Sequence, residues 1–144
     1  CTRMINFELV TLDGAKFGED VYEVVLPTAD GYIAIFPHHM PLVSIASPGV
    51  ISVRRKQGDP DTKLEYFATN GGVIEVTDNK VRVLVDEADR EDEINEAEAQ
   101  KAFDHAQNLR REAKDTISLQ HAQNLVDRQA VRLQVAGLRR QKRR

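Results

Sequence analysis

The hydrophobic period of this chain changes once, between Asp86 and Asp92, and that change constrains its architecture more than any other feature. Before it, apolar residues recur at every second position. Ile5, Phe7 and Leu9 alternate with Asn6 and Glu8; Leu64, Tyr66 and Ala68 with Glu65 and Phe67; Val81, Val83 and Val85 with Arg82 and Leu84. A period of two is that of a β-strand with one buried face. Turn-forming residues punctuate this region at Asp13-Gly14, Asp30-Gly31, Pro48-Gly49, Gly58-Asp59-Pro60, Asn70-Gly71-Gly72 and Asp78-Asn79. Many short strands with regular turns predict an antiparallel sandwich or barrel over residues 4–86 rather than alternating β and α units. Gln57 to Lys63 reads as a polar hairpin tip.

From residue 92 onward the spacing becomes helical and no proline occurs. Ala99, Ala102, Phe103, Ala106, Leu109, Ala113 and Ile117 mark one face of a first helix, and Leu119, Ala122, Val126, Ala130, Leu133 and Gly137 one face of a second. Asn95, three residues before Glu98, has the form of a capping box. Asp115-Thr116-Ile117-Ser118 supplies capping and turn side chains between the two stripes. An antiparallel helical hairpin over residues 92–144 is the simplest arrangement, with one long helix as its competitor. The fold class is therefore α+β. Alanine-rich stripes bury little apolar area, at about 0.8 kcal/mol per methylene-sized group. Strong helix formers keep each rod helical without its partner. The pair is built to move.

Composition excludes several classes. At 41% hydrophobic and 30% charged residues the chain is globular rather than disordered. No apolar stretch approaches the roughly 20 residues of a membrane-spanning helix, so any membrane association is expected through partners. The single cysteine, Cys1, excludes an internal disulfide framework or a cysteine-based zinc site. The net charge of −3 conceals an asymmetry: residues 86–98 are predominantly acidic, whereas every charge after Asp127 is basic, namely Arg128, Arg132, Arg139, Arg140, Lys142, Arg143 and Arg144. A solvated helix face explains each run. The alternative for the tail is a contact with nucleic acid, but no aromatic stacking residues accompany it.

Catalytic and cofactor motifs are missing. His38 and His39 are adjacent on an extended segment with no third ligand nearby in sequence, and His105 and His121 stand apart, so no metal site is expected. Gly71-Gly72 lies between two strands instead of opening a helix, which suits a turn and not a phosphate cradle. The dense carboxylates sit in a charged linker where a raised-pKa acid is hard to build, which leaves a small hydrolase without support. No cofactor is expected, and no catalytic residues are assigned.

Two long segments then carry a family resemblance. "VVLPTADGYIAIFPHHMPLVSIASPGV", residues 24–50, and "NGGVIEVTDNKVRVLVDEADREDEI", residues 70–94, resemble in order and spacing the two signatures of the epsilon subunit of F-type ATP synthases. The resemblance covers nearly the whole chain. It implies a β-sandwich over residues 4–86, a two-helix regulatory domain over residues 92–144, and a non-catalytic role in the central rotor stalk, where proton flow is coupled to ATP synthesis. The implied partners are the gamma subunit, the c-subunit ring and, when the helices extend and inhibit hydrolysis, the beta and alpha subunits of the catalytic head. The implied place is peripheral, on the cytoplasmic face of a bacterial plasma membrane or the stromal face of a thylakoid.

By the same resemblance, Asp30, Gly31 and Tyr32, with His39, Met40, Pro41 and Leu42, are expected at one sandwich end, facing the c ring. Pro37 and Pro41 stiffen that loop. The chain departs from the family at His38, where glycine is usual, and at Met40, where alanine is usual. Arg128, Arg132, Arg139 and Arg140 are expected to meet acidic residues of beta. The family's nucleotide motif is degenerate: Ile94, Asn95, Glu98 and Ala99 occupy its positions, with Asn95 for aspartate and Glu98 for arginine. A carboxylate beside phosphates is repulsive, so ATP binding is expected to be weak or absent.

Overall fold

A computed structural model describes residues 4–142; Cys1, Arg143 and Arg144 lie outside the described residues. Ten strands come first: β1 (Ile5–Thr11), β2 (Gly14–Val21), β3 (Glu23–Thr28), β4 (Gly31–Ile35), β5 (Leu42–Ala46), β6 (Gly49–Arg54), β7 (Glu65–Thr69), β8 (Gly72–Thr77), β9 (Lys80–Val85) and β10 (Ala88–Arg90). Two helices follow, α1 (Glu96–Glu112) and α2 (Thr116–Lys142). The strands form a sandwich close to a barrel, in the order β10-β7-β6-β3-β5-β8-β9-β1-β2, with β4 paired to β3. Among the described residues β1 and β9 form the one parallel pair, joining the first strand to the last long one.

The alternating residues do what their period predicts in most strands. Ile5, Phe7, Leu9, Val81, Val83, Ile74 and Val76 are buried in one interior, together with Phe17, Leu26, Ile35 and Phe67. Strand β7 departs from the expectation. Phe67, placed by alternation on the outward face, is in the sandwich core, while Tyr66 and Ala68 belong to a second apolar cluster under the helices. A strand covered on both sides has no polar face, so its period does not reveal which side is inward. The stretch after Asp86 was also expected to be a plain charged linker; it contains β10, which pairs with β7 from Ala88↔Thr69 to Arg90↔Phe67.

Glycine is required where backbones crowd. Gly71 has φ +103°, and a Cβ added to Gly72 would lie 1.9 Å from the carbonyl oxygen of Leu84. That contact explains the Asn70-Gly71-Gly72 turn better than any ligand.

The helices form the antiparallel hairpin and not one long rod. The Oδ1 of Asn95 accepts from the Glu98 N–H at 3.1 Å, and the Oδ1 of Asp115 accepts from the Ser118 N–H at 2.7 Å. These caps satisfy amides left without partners at each helix start. Ala99 and Ala106 on α1 and Ala122, Val126 and Gln129 on α2 are buried. The second stripe is only partly as expected. Ala130 and Leu119 are exposed, whereas Val131, Val135 and Ala136 join Val50, Tyr66, Ala68, Ile94 and Ala99 in the second cluster. Helix α2 thus carries two apolar stripes, one for α1 and one for the outer face of β6 and β7.

Candidate functional site

Two segments named from the sequence flank β4. On its N-terminal side Thr28 fixes the Asp30-Gly31 turn: its hydroxyl donates to the Gly31 carbonyl at 2.6 Å and accepts from the Asp30 N–H at 3.3 Å. The Tyr32 ring is 55% exposed, and its hydroxyl accepts from the Val50 N–H at 3.3 Å. On the C-terminal side, the loop from Phe36 to Pro41 leads into β5. The His39 N–H donates to the Phe36 carbonyl at 3.2 Å, and its Nδ1 lies 2.7 Å from the Met40 carbonyl, which fixes the proton on that nitrogen. His38 adopts φ 68°, so it takes the left-handed conformation that suits the usual glycine. Met40 is 78% exposed at the tip. Asp30, Gly31 and Tyr32 stand at the start of β4, and His39, Met40, Pro41 and Leu42 follow its end and lead into β5. Gly31 and Tyr32 open β4, and Ile33, Ala34 and Ile35 carry the strand on to the loop that holds His39 and Met40.

A surface that sequence reasoning missed lies on the outer face of the other sheet. Register aligns Ile45 with Val73, Val73 with Leu84, and Leu84 with Val10, one residue from each of β5, β8, β9 and β1. Ile45 is 71% exposed, and Val73 and Leu84 about 40%. Val43 adds to the patch beside Ile45. The adjoining row is charged: Glu75 pairs in register with Arg82, and Glu8 holds Lys80 at 3.1 Å and Arg82 at 3.2 Å. Hydrogen bonds from Lys80 and Arg82 keep the Glu8 carboxyl below the usual glutamate value. The sequence signal was available: Leu84, Val73, Val43 and Ile45 are apolar residues at the outward phase of their strands, where Asn6, Glu8 and Arg82 set the polar rule.

The cations of α2 named from the sequence, among the described residues, have partners inside the chain. Arg128 meets Glu87 at 2.6 Å, Arg132 meets Asp89 at 3.2 Å, and Arg140 meets Glu96 at 3.0 Å. Arg139 donates to the Glu91 carbonyl at 3.4 Å. Lys142 reaches both Glu91 and the Leu64 carbonyl at 2.6 Å and lies over the Tyr66 ring. Burial pushes the Tyr66 hydroxyl up. The basic tail and the acidic linker, opposite in sequence, are therefore neighbours in space.

The degenerate nucleotide positions serve as structure. Ile94 and Ala99 are buried in the second cluster, Asn95 caps α1, and Glu98 is exposed. Among the described residues no group of three His, Cys, Asp or Glu side chains is placed to hold a metal. An open cleft of about 690 Å³ separates the first part of α2 from the sandwich. It is lined by Asp13, Asp86, Glu87 and Asp127 with His121 and Arg128.

Residues 4–91 match the model of the family described as "ATP synthase, Delta/Epsilon chain, beta-sandwich domain". Over 137 residues the chain is 36% identical to the ATP synthase epsilon chain of Herpetosiphon aurantiacus, covering 94% of this chain and 96% of that one. The chain belongs to the ATP synthase epsilon family. It is 37% identical to the epsilon chain of Chloroflexus aggregans, with 97% of each covered. The fold also matches a chain in the cryo-EM structure of the Euglena gracilis mitochondrial ATP synthase, OSCP/F1/c-ring, with a TM-score of 0.78 and 21% identity, covering 92% of this chain and 81% of that one. Family membership makes the chain a non-catalytic subunit of ATP synthase. No helix among the described residues is long and apolar enough to cross a membrane.

Proposed function

We propose that the chain works in the central stalk of an F-type ATP synthase, coupling proton flow to ATP synthesis by joining the gamma subunit to the c-subunit ring. The observation that carries this reading is the unequal covering of the sandwich. One outer face, on β6 and β7, is occupied by α2, whereas the other presents the Ile45–Val73–Leu84–Val10 row with charges beside it. An apolar strip with a polar border is the form of a protein interface, and the gamma subunit is the partner assigned to it. The c ring is assigned to the exposed tip at His39, Met40, Pro41 and Leu42, with Asp30, Gly31 and Tyr32 as a separate contact. Residues 4–86 act as the gripping unit and residues 92–144 as the regulatory one. The position assigned to it is peripheral, on the cytoplasmic face of a bacterial membrane, reached through the complex.

Inhibition of hydrolysis is the second part of the proposal. Arg128, Arg132, Arg139 and Arg140 are all engaged in cis, so contact with beta and alpha subunits requires that α2 first leave the sandwich. The same engagement weighs against a nucleic-acid-binding tail. Exposed Glu98 supports the absence of an ATP site. The test is co-purification with a gamma subunit: the wild-type chain is retained, and Ile45→Glu, an exposed substitution that leaves the core alone, abolishes retention. Equal retention of both removes the assigned face. Deletion of residues 119–144 raises hydrolysis by the reconstituted complex; unchanged hydrolysis removes the inhibitory part.

A further inference from the structure

We infer that the helical hairpin is held to the sandwich by a register-matched electrostatic zipper between α2 and the acidic edge around β10, so that ionic strength and competing charges control its release. This deepens the inhibitory reading and rests on it for its biological consequence, though not for its physics. Glu87, Asp89 and Glu91 recur at every second residue, which places them on one side of an extended segment. Their partners Arg128 and Arg132 are four residues apart on α2, and Lys142 continues the same side. The two repeats fit each other. Two residues of strand advance about 6.6 Å, and four residues of helix about 6 Å. Glu87 and Asp89 therefore meet Arg128 and Arg132 without bending either element, whereas Lys142, ten residues beyond Arg132 and about 15 Å along the helix, closes on Glu91 past the end of β10 and outside that repeat.

Three further observations make this zipper decisive for docking. On α2 the apolar contact beneath it rests on Val131, Val135 and Ala136, with Leu133 and Leu138 partly buried. The first part of α2 stands off the sandwich across the open cleft of about 690 Å³, which the Arg128–Glu87 pair bridges. The ion pairs are graded in exposure, from Lys142–Glu91 at 16% and 20% to Arg128–Glu87 at 36% and 47%. Salt reaches the Arg128 end first, which makes it the opening end. Arg140–Glu96 ties α2 to α1 and not to the sandwich, so it adds nothing to the docking of the hairpin.

Each solvent-reached pair changes an equilibrium by a small factor, and the three together by roughly tenfold. The test uses the full chain alone, as Cys1→Ser with Val135→Cys. The new thiol is buried in the docked form, so its reaction with neutral N-ethylmaleimide reports even rare opening. Raising NaCl from about 20 mM to about 0.5 M shortens the screening length from roughly 20 Å to about 4 Å and is expected to speed labelling about tenfold. Glu87→Gln with Asp89→Asn and Glu91→Gln is expected to label that fast at low salt and to lose the salt response. Arg128→Glu speeds labelling, and adding Glu87→Arg restores the slow rate. Labelling that ignores salt, or a triple variant that behaves as its parent, overturns the zipper. Because no partner subunit is present, that failure is distinct from loss of gamma binding, which would refute the stalk reading instead.

Discussion

Truncating one valine in each apolar cluster separates the stability of the sandwich from that of the docked hairpin. Val53 and Val135 are both completely buried, the first in the sandwich interior and the second under α2. Val→Ala removes two methyl groups, about 1.6 kcal/mol at 0.8 kcal/mol each. A residual void on the order of 40 Å³ adds about 1 kcal/mol. Val53→Ala should therefore destabilise the sandwich by about 2.5 kcal/mol and lower its Tm by roughly 10–20 °C. Val135→Ala removes the same groups, but its effect is capped at the docking free energy, because once α2 has left the sandwich the side chain faces water in either variant. Calorimetry should show the main transition nearly unmoved in Val135→Ala. Hydrogen exchange should accelerate at β7 amides beneath the hairpin and stay unchanged in β1, β8 and β9. Equal loss of protection in all strands of both variants would refute the separation and make hairpin and sandwich one cooperative unit.

Three other changes have defined directions. His38→Gly relieves a left-handed residue at roughly 1–2 kcal/mol and gives back about 0.4–1 kcal/mol in unfolded-chain entropy; a net gain of about 0.5 kcal/mol should appear as a Tm raised by about 2–4 °C, and a lower Tm would show that His38 has a tertiary partner. Gly72→Ala drives a methyl into the Leu84 carbonyl and should destabilise by about 3 kcal/mol or more, read as a shifted urea midpoint; a neutral result would mean that β8 and β9 slide apart freely. Asp115 is held below the usual aspartate value by the Ser118 N–H and hydroxyl. Its cap is fully effective above about pH 4, the unfolded value, and is lost as pH falls through the lowered native value. Circular dichroism between about pH 5 and pH 2 should show Asp115→Asn, which caps without titrating, losing less helix than wild type, and superimposed curves would contradict the cap.

The strands that face the core on one side only were legible, because alternation at Ile5–Leu9 and Val81–Val85 records solvent on the other side. The hairpin was legible in outline from Asn95, Asp115 and the alanine spacing. Strand β7 was not, since its polar phase is replaced by helix contacts. Nor was the second stripe of α2: Val131, Val135 and Leu138 acquire meaning only once β6 and β7 are known to lie beneath them. Charge gave the plainest lesson. The acidic run and the basic tail were visible as opposite blocks, but a strand rise and a helix rise had to be laid side by side before they became partners. The outward apolar row failed for a related reason, since its members come from four strands far apart in sequence and only register assembles them.

Strand order has a consequence for how such a chain is made. β1 precedes β9 by about seventy residues and sits between β2 and β9, so one of its edges waits for residues 80–84. For most of translation that edge is a bare template for wrong pairing. Both helices emerge only after the edge is closed, and they come to rest on masonry already set.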